Sequence, residues 1–65
     1  MRNPERIRPL CERLADAWMK LPDLRLGQLL VDSLGGKDPF YIDDEDLIRM
    51  LERFVREARK GKTEE

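Results

Sequence analysis

Apolar positions recur at spacings of three and four in three separate stretches of the chain, the period of helices that bury one face. In the first, Ile7, Leu10, Cys11, Leu14, Ala17, Trp18 and Leu21 form one stripe over a helix from about Pro4 to Lys20. Asn3 followed by Pro4 is a favourable N-cap and first-position pair. Pro9 interrupts the pattern, because past the first turn a proline removes a backbone hydrogen bond and crowds the turn before it. The expectation is either a kink there or one irregular turn before a main helix from Pro9. Pro22 stops the segment.

The second stretch runs from Leu24 to about Leu34, with Asp23 as the expected N-cap and Leu26, Leu29, Leu30 and Leu34 as the apolar face. Gly35-Gly36 supplies a left-handed C-cap, which glycine adopts without steric cost. Gly27 lies inside this helix at a cost of roughly 1 kcal/mol relative to alanine. The favoured explanation is close approach of another backbone. Residues 35–42 form a connector with a turn at Asp38-Pro39, after which Phe40, Tyr41 and Ile42 are expected to run extended as a clasp over the core.

The third stretch, Asp44 to about Lys60, opens with a complete start signal. Asp43 fits the N-cap, and Asp44, Glu45 and Asp46 fill the first turn. Ile42 and Leu47 stand where a hydrophobic staple closes. Leu47, Ile48, Leu51, Phe54, Val55 and Ala58 form the buried stripe, and Gly61 is expected to end the helix. The prediction is an all-α, compact three-helix domain (helices about 4–20, 24–34 and 44–60) over residues 1–61, with a flexible tail at 62–65. Its core is expected around Leu14, Trp18, Leu26, Leu30, Leu47, Leu51 and Phe54. The connector is too long for a helix-turn-helix and leaves the relative helix orientation open.

Composition narrows the function classes. A chain of 65 residues buries only about 60% of the surface it exposes when unfolded. With one cysteine and no histidine, neither an intramolecular disulfide nor a zinc-type ligand pattern is available. A reducing, cytoplasmic setting is the default. No apolar run approaches the roughly 20 residues that span a bilayer, and no signal-peptide core follows the N-terminal arginines. Charged residues make up 42% of the chain yet nearly cancel, to −1. That balance disfavours a dedicated nucleic-acid binder while permitting a local basic face.

Three clusters invite a chemical reading. The carboxylates Asp38, Asp43, Asp44, Glu45 and Asp46 suggest calcium or magnesium, but a calcium loop needs acids on alternate positions around a central glycine. Consecutive acids on a helix splay apart, and stabilisation of the helix N-terminus explains them. Arg49, Arg53, Arg56 and Lys60 form a row on the third helix that fits a phosphate backbone. Pairs four apart, Glu45 with Arg49 and Glu52 with Arg56, make a solvated face the favoured account. Arg25, Gln28 and Asp32 edge the second helix and offer a recognition surface, but a structural role is the favoured account, with Asp23 pairing with Arg25 or Gln28 capping a connector backbone group.

Catalysis finds little support. The usual general base is absent, and Cys11 on an apolar stripe is expected to be buried and inert. Ser33 and Thr63 have no adjacent base in sequence. Gly35-Gly36-Lys37 lacks the first glycine and the Ser/Thr of a phosphate loop. The expectation is no enzyme, no cofactor and no metal.

At Ala17-Trp18-x-Lys20-x-Pro22-Asp23 and Leu26-x-Gln28-x-Leu30 the chain resembles the YihD family. It also resembles shorter bacterial and phage proteins that open as Arg2-Asn3-Pro4-Glu5-Arg6-Ile7 does here, with Pro22–Leu29 and Phe40-Tyr41-Ile42-x-Asp44 the most similar parts. The resemblance implies small soluble cytoplasmic proteins without an established activity. The functional expectation is therefore a protein–protein interaction module, with an unknown protein or a second copy of itself as partner and no membrane. The alternative is a nucleic-acid-binding accessory or regulatory protein using the third helix's basic face. The candidate contact residues are Arg25, Gln28, Phe40, Tyr41, Arg49, Arg53 and Arg56.

Overall fold

A computed structural model describes residues 2–63, with 61–63 as helical backbone only. A 3-10 turn, Pro4–Arg6, leads into α1, Ile7–Met19. Then come α2, Leu26–Leu34, a 3-10 turn at Pro39–Tyr41, and α3, Asp44–Thr63. The described residues contain three α-helices and no strand.

Local chemistry accounts for most boundaries. The Asn3 side chain accepts the Glu5 N–H at 2.9 Å and caps the first 3-10 turn. This is the irregular turn expected ahead of the main helix, but that helix starts at Ile7, which places Pro9 in its first turn. The N–H that proline lacks has no helical acceptor there. α1 ends before Pro22, where the Trp18 indole donates to the Leu24 carbonyl at 2.8 Å and ties the loop to the helix.

α2 starts two residues later than Asp23 would dictate. Arg25 occupies the N-cap, and its backbone N–H is accepted by the Gln28 side chain at 2.9 Å, the returning half of a capping box. Gln28 therefore caps its own helix and not the connector. Gly35, at φ 59°, closes α2 in the left-handed conformation. Gly27 is exposed, with nothing within 4 Å of where a Cβ would lie, so no backbone approaches it and the close-approach explanation is overturned.

α3 begins with the Leu47 N–H bonded to the Asp43 carbonyl at 2.9 Å, as the start signal requires. Gly61 does not end it; the helix continues to Thr63. Of the tail expected at 62–65, positions 62 and 63 are thus helical, and Glu64 and Glu65 lie outside the described residues.

α3 is the scaffold, since α1 and α2 each pack on it and touch one another little. Arg6 meets Asp44 and Arg13 meets Glu52, so α1 and α3 run parallel with their N-termini together. α2 and the connector return the chain. The core is Ala17, Leu21, Leu29, Leu51 and Val55, flanked by Leu14, Trp18, Leu24, Leu30, Phe54 and Ala58. Leu34 and Ile48 are also buried, as is Ser33, whose hydroxyl donates to the Leu29 carbonyl at 2.6 Å.

Three expected core features are corrected. Leu26, in the first turn of α2, remains 37% exposed. Phe40 and Tyr41 form a 3-10 turn capped by Asp38 instead of an extended clasp; they are 81% and 83% exposed and cover nothing. Cys11 is exposed because it stands about 120° round the helix from Ala17, off the face that packs on the core.

Candidate interaction surface

Parallel packing sets the N-termini of α1 and α3 side by side, adding two positive dipole ends at one pole of the molecule. Asp43, Asp44, Glu45 and Asp46 supply the compensating charge and in turn collect arginines. Arg6 Nε donates to Asp44 Oδ2 at 2.7 Å, and Arg2 lies 3.4 Å from Asp43 and 3.5 Å from Asp44. Arg13 donates to Glu45 at 2.7 Å and to both oxygens of Glu52, at 3.0 and 2.8 Å. The carboxylates are thus spent on guanidinium groups, and no cluster of ligands that could hold a metal ion is found among the described residues.

The electrostatics follow. The hydrogen bond from Arg6, helped by the charge of Arg2, holds the Asp44 carboxyl below its usual range. The hydrogen bond from Arg13 does the same for Glu52, and both glutamates hold the Arg13 guanidinium more firmly protonated.

The seven candidate contact residues do not form one site. Arg49 reaches back to Glu45 at 3.7 Å and Asp46 at 3.1 Å, so the basic row loses its first member to neighbouring acids. The Glu45–Arg49 pair is present as expected. Glu52, however, is hydrogen-bonded across helices by Arg13, and Arg56 acts on it only through its charge. Tyr41 and Arg49 share a recess with Met50 and Asp46. Phe40 packs edge-to-face on Tyr41 with ring centroids 4.9 Å apart. Arg25 and Gln28 are exposed at the start of α2, and Arg53 is exposed on α3. Arg56 lines a groove of about 630 Å³ between α1 and α3, together with Lys20, Arg59 and Lys60, over a floor of Ala17 and Val55.

Sequence reading missed two surfaces. One is the Arg13 crosslink, whose signal was present: Arg6 and Arg13 are seven apart, as are Glu45 and Glu52, the spacing of charges that flank a helix–helix seam. The other is a pair of mainly apolar hollows. One, of about 210 Å³, is lined by Ile7, Leu10, Cys11 and Leu14 of α1 with Leu47 and Ile48 of α3, together with the Arg6–Asp44 pair. A second, of about 240 Å³, lies at the other end of α1 between Ala15, Trp18, Met19 and Pro22. No helix among the described residues is long and apolar enough to cross a membrane. Comparison of the chain with family models, with curated proteins and with solved structures finds no match.

Proposed function

We propose that this chain is a small protein–protein interaction module that offers an apolar helix surface to its partner. The observation that carries the reading is the set of large apolar side chains left in water: Ile7, Met19, Leu26, Val31, Phe40 and Tyr41. Exposed apolar surface on this scale beside so small a core marks association. The reading includes no catalytic role and a cytoplasmic setting. The missing histidine and the single unpaired Cys11 support these two points. Kinship with the short YihD-like bacterial and phage proteins rests on the shared Trp18–Leu30 and Tyr41–Leu51 stretches. Co-purification of the tagged chain from its native host tests the interaction, with mass spectrometry comparing the wild type and an Ile7→Glu, Met19→Glu variant. A partner enriched on the wild type and lost from the variant is expected. Equal recovery on both removes this surface from the reading.

A second reading has its own observation, the convergence of Lys20, Arg56, Arg59 and Lys60 on one groove, where they outnumber the acids Asp16 and Glu52. Such a groove suits a phosphate backbone and makes the chain a nucleic-acid accessory. Binding to duplex DNA at low salt that weakens steeply as salt rises is the expected signature. No binding at low salt removes this alternative.

A further inference from the structure

Ile7, Cys11, Ala15 and Met19 follow one another at intervals of four along α1 and so form a single ridge. All four are exposed, Ile7 by 50% and Met19 by 75%, and none carries charge. The two apolar hollows described above flank this ridge, one at each end of the helix. The ridge runs the length of α1, round the helix from the face that buries Ala17.

We propose that a second copy of this chain packs on that ridge, the two α1 helices crossing antiparallel about a two-fold axis. The proposal rests on the interaction reading above and names its partner. Self-complementarity favours a copy over an unrelated protein. The ridge reads large, small, small, large, and is the same in either direction. An antiparallel copy therefore sets Ile7 against Met19 of the partner subunit and Cys11 against Ala15 of the partner subunit, the self-complementarity that an isologous contact requires. Small side chains at the crossing point let the helix axes approach. A domain this small commonly gains its missing burial by oligomerising.

Sedimentation equilibrium of the full chain from micromolar to millimolar concentration is the test. A concentration-dependent dimer is expected. Ile7→Glu and Met19→Glu should each weaken it by about 100-fold or more, since each buries an unpaired carboxylate. Both positions are exposed in the protomer, and circular dichroism checks that the helices remain. Glu57→Lys, exposed on α3, should leave association unchanged. Ala15→Cys should yield a disulfide-linked dimer under mild oxidation, through Cys11 of the partner subunit. A monomer at millimolar concentration overturns the proposal, and so does a dimer that neither glutamate weakens. A host partner still captured in a ridge-dependent way would then uphold the broader interaction reading alone; failure of that capture too would remove both.

Discussion

Arg13 on α1 grips Glu52 on α3 through two hydrogen bonds, of 3.0 and 2.8 Å, and reaches Glu45, one heptad earlier, at 2.7 Å. A planar guanidinium held at three points fixes how far α1 can slide or rotate on α3. Arg13→Ala should lower the urea midpoint more than Arg49→Ala, whose ion pairs lie within one helix. Arg13→Lys should not restore it, because an ammonium cannot span both carboxylates. In a double-mutant cycle, Arg13→Ala and Glu52→Gln should be less than additive, with a coupling that shrinks at high salt. Full additivity would show that the contact contributes nothing.

Acid should weaken the fold through the same network. Asp44 and Glu52 are both held below their ordinary values of 3.8 and 4.5 by arginine hydrogen bonds. A carboxyl whose folded pKa is depressed contributes stability that is complete above the unfolded value and disappears as pH falls through the folded one. Stability should therefore be flat above about pH 5 and decline below it. The decline should be modest, because both groups are partly open to solvent. Arg6→Gln should flatten the Asp44 part of the profile and Arg13→Gln the Glu52 part. Urea midpoints from pH 2 to 7 make the comparison.

Leu51 and Leu26 should separate sharply. Leu51 is fully buried against α1 and α2, so Leu51→Ala should cost about 2–5 kcal/mol. A domain of this length has only about 3–10 kcal/mol in all, so much of that variant's population should be unfolded. Leu26→Ala should cost under about 1 kcal/mol, and Phe40→Ser and Tyr41→Ser about 0.5 or less. Thermal unfolding by circular dichroism distinguishes them. A large loss at Phe40 would mean that the 3-10 turn covers the core after all.

Gly27→Ala should stabilise the chain. The position is helical, exposed and clear of neighbours, so the added methyl meets nothing while the unfolded chain loses freedom. The gain is up to about 1 kcal/mol. In a domain of this size that raises the melting temperature by about 4–8 °C per kcal/mol. An unchanged or lower melting temperature would mean that something approaches this face in solution.

Periodicity showed the number, type and order of the helices, because amphipathic spacing and capping act within a few residues. The caps at Asn3, Gly35 and Asp43 are local in the same sense and were legible, whereas Asp38 was legible only as part of a turn. Pairing between helices was not. One stripe holds Cys11 and Ala17 alike, yet they stand about 120° apart around α1, and which edge of so broad a stripe is buried depends on how α3 packs against it. Glu52 had two arginines within geometric reach, and only the parallel arrangement of α1 and α3 makes Arg13 its partner instead of Arg56. Phe40 and Tyr41 looked like core because they are large. Their exposure follows from the Asp38–Pro39 cap, which coils the segment before it can lie down.

The parallel register of α1 and α3 also constrains how the chain reaches its final shape. Ion pairs that join residues 38 to 41 positions apart close loops spanning more than half the sequence. Such closure is entropically expensive and must precede the contacts that reward it. For a helical protein this predicts slow folding, with a transition state that forms only once the third helix has swung back onto the first. A fragment that stops before Asp44 should remain a pair of fluctuating, half-formed turns in water, whatever helix-forming tendency its residues possess.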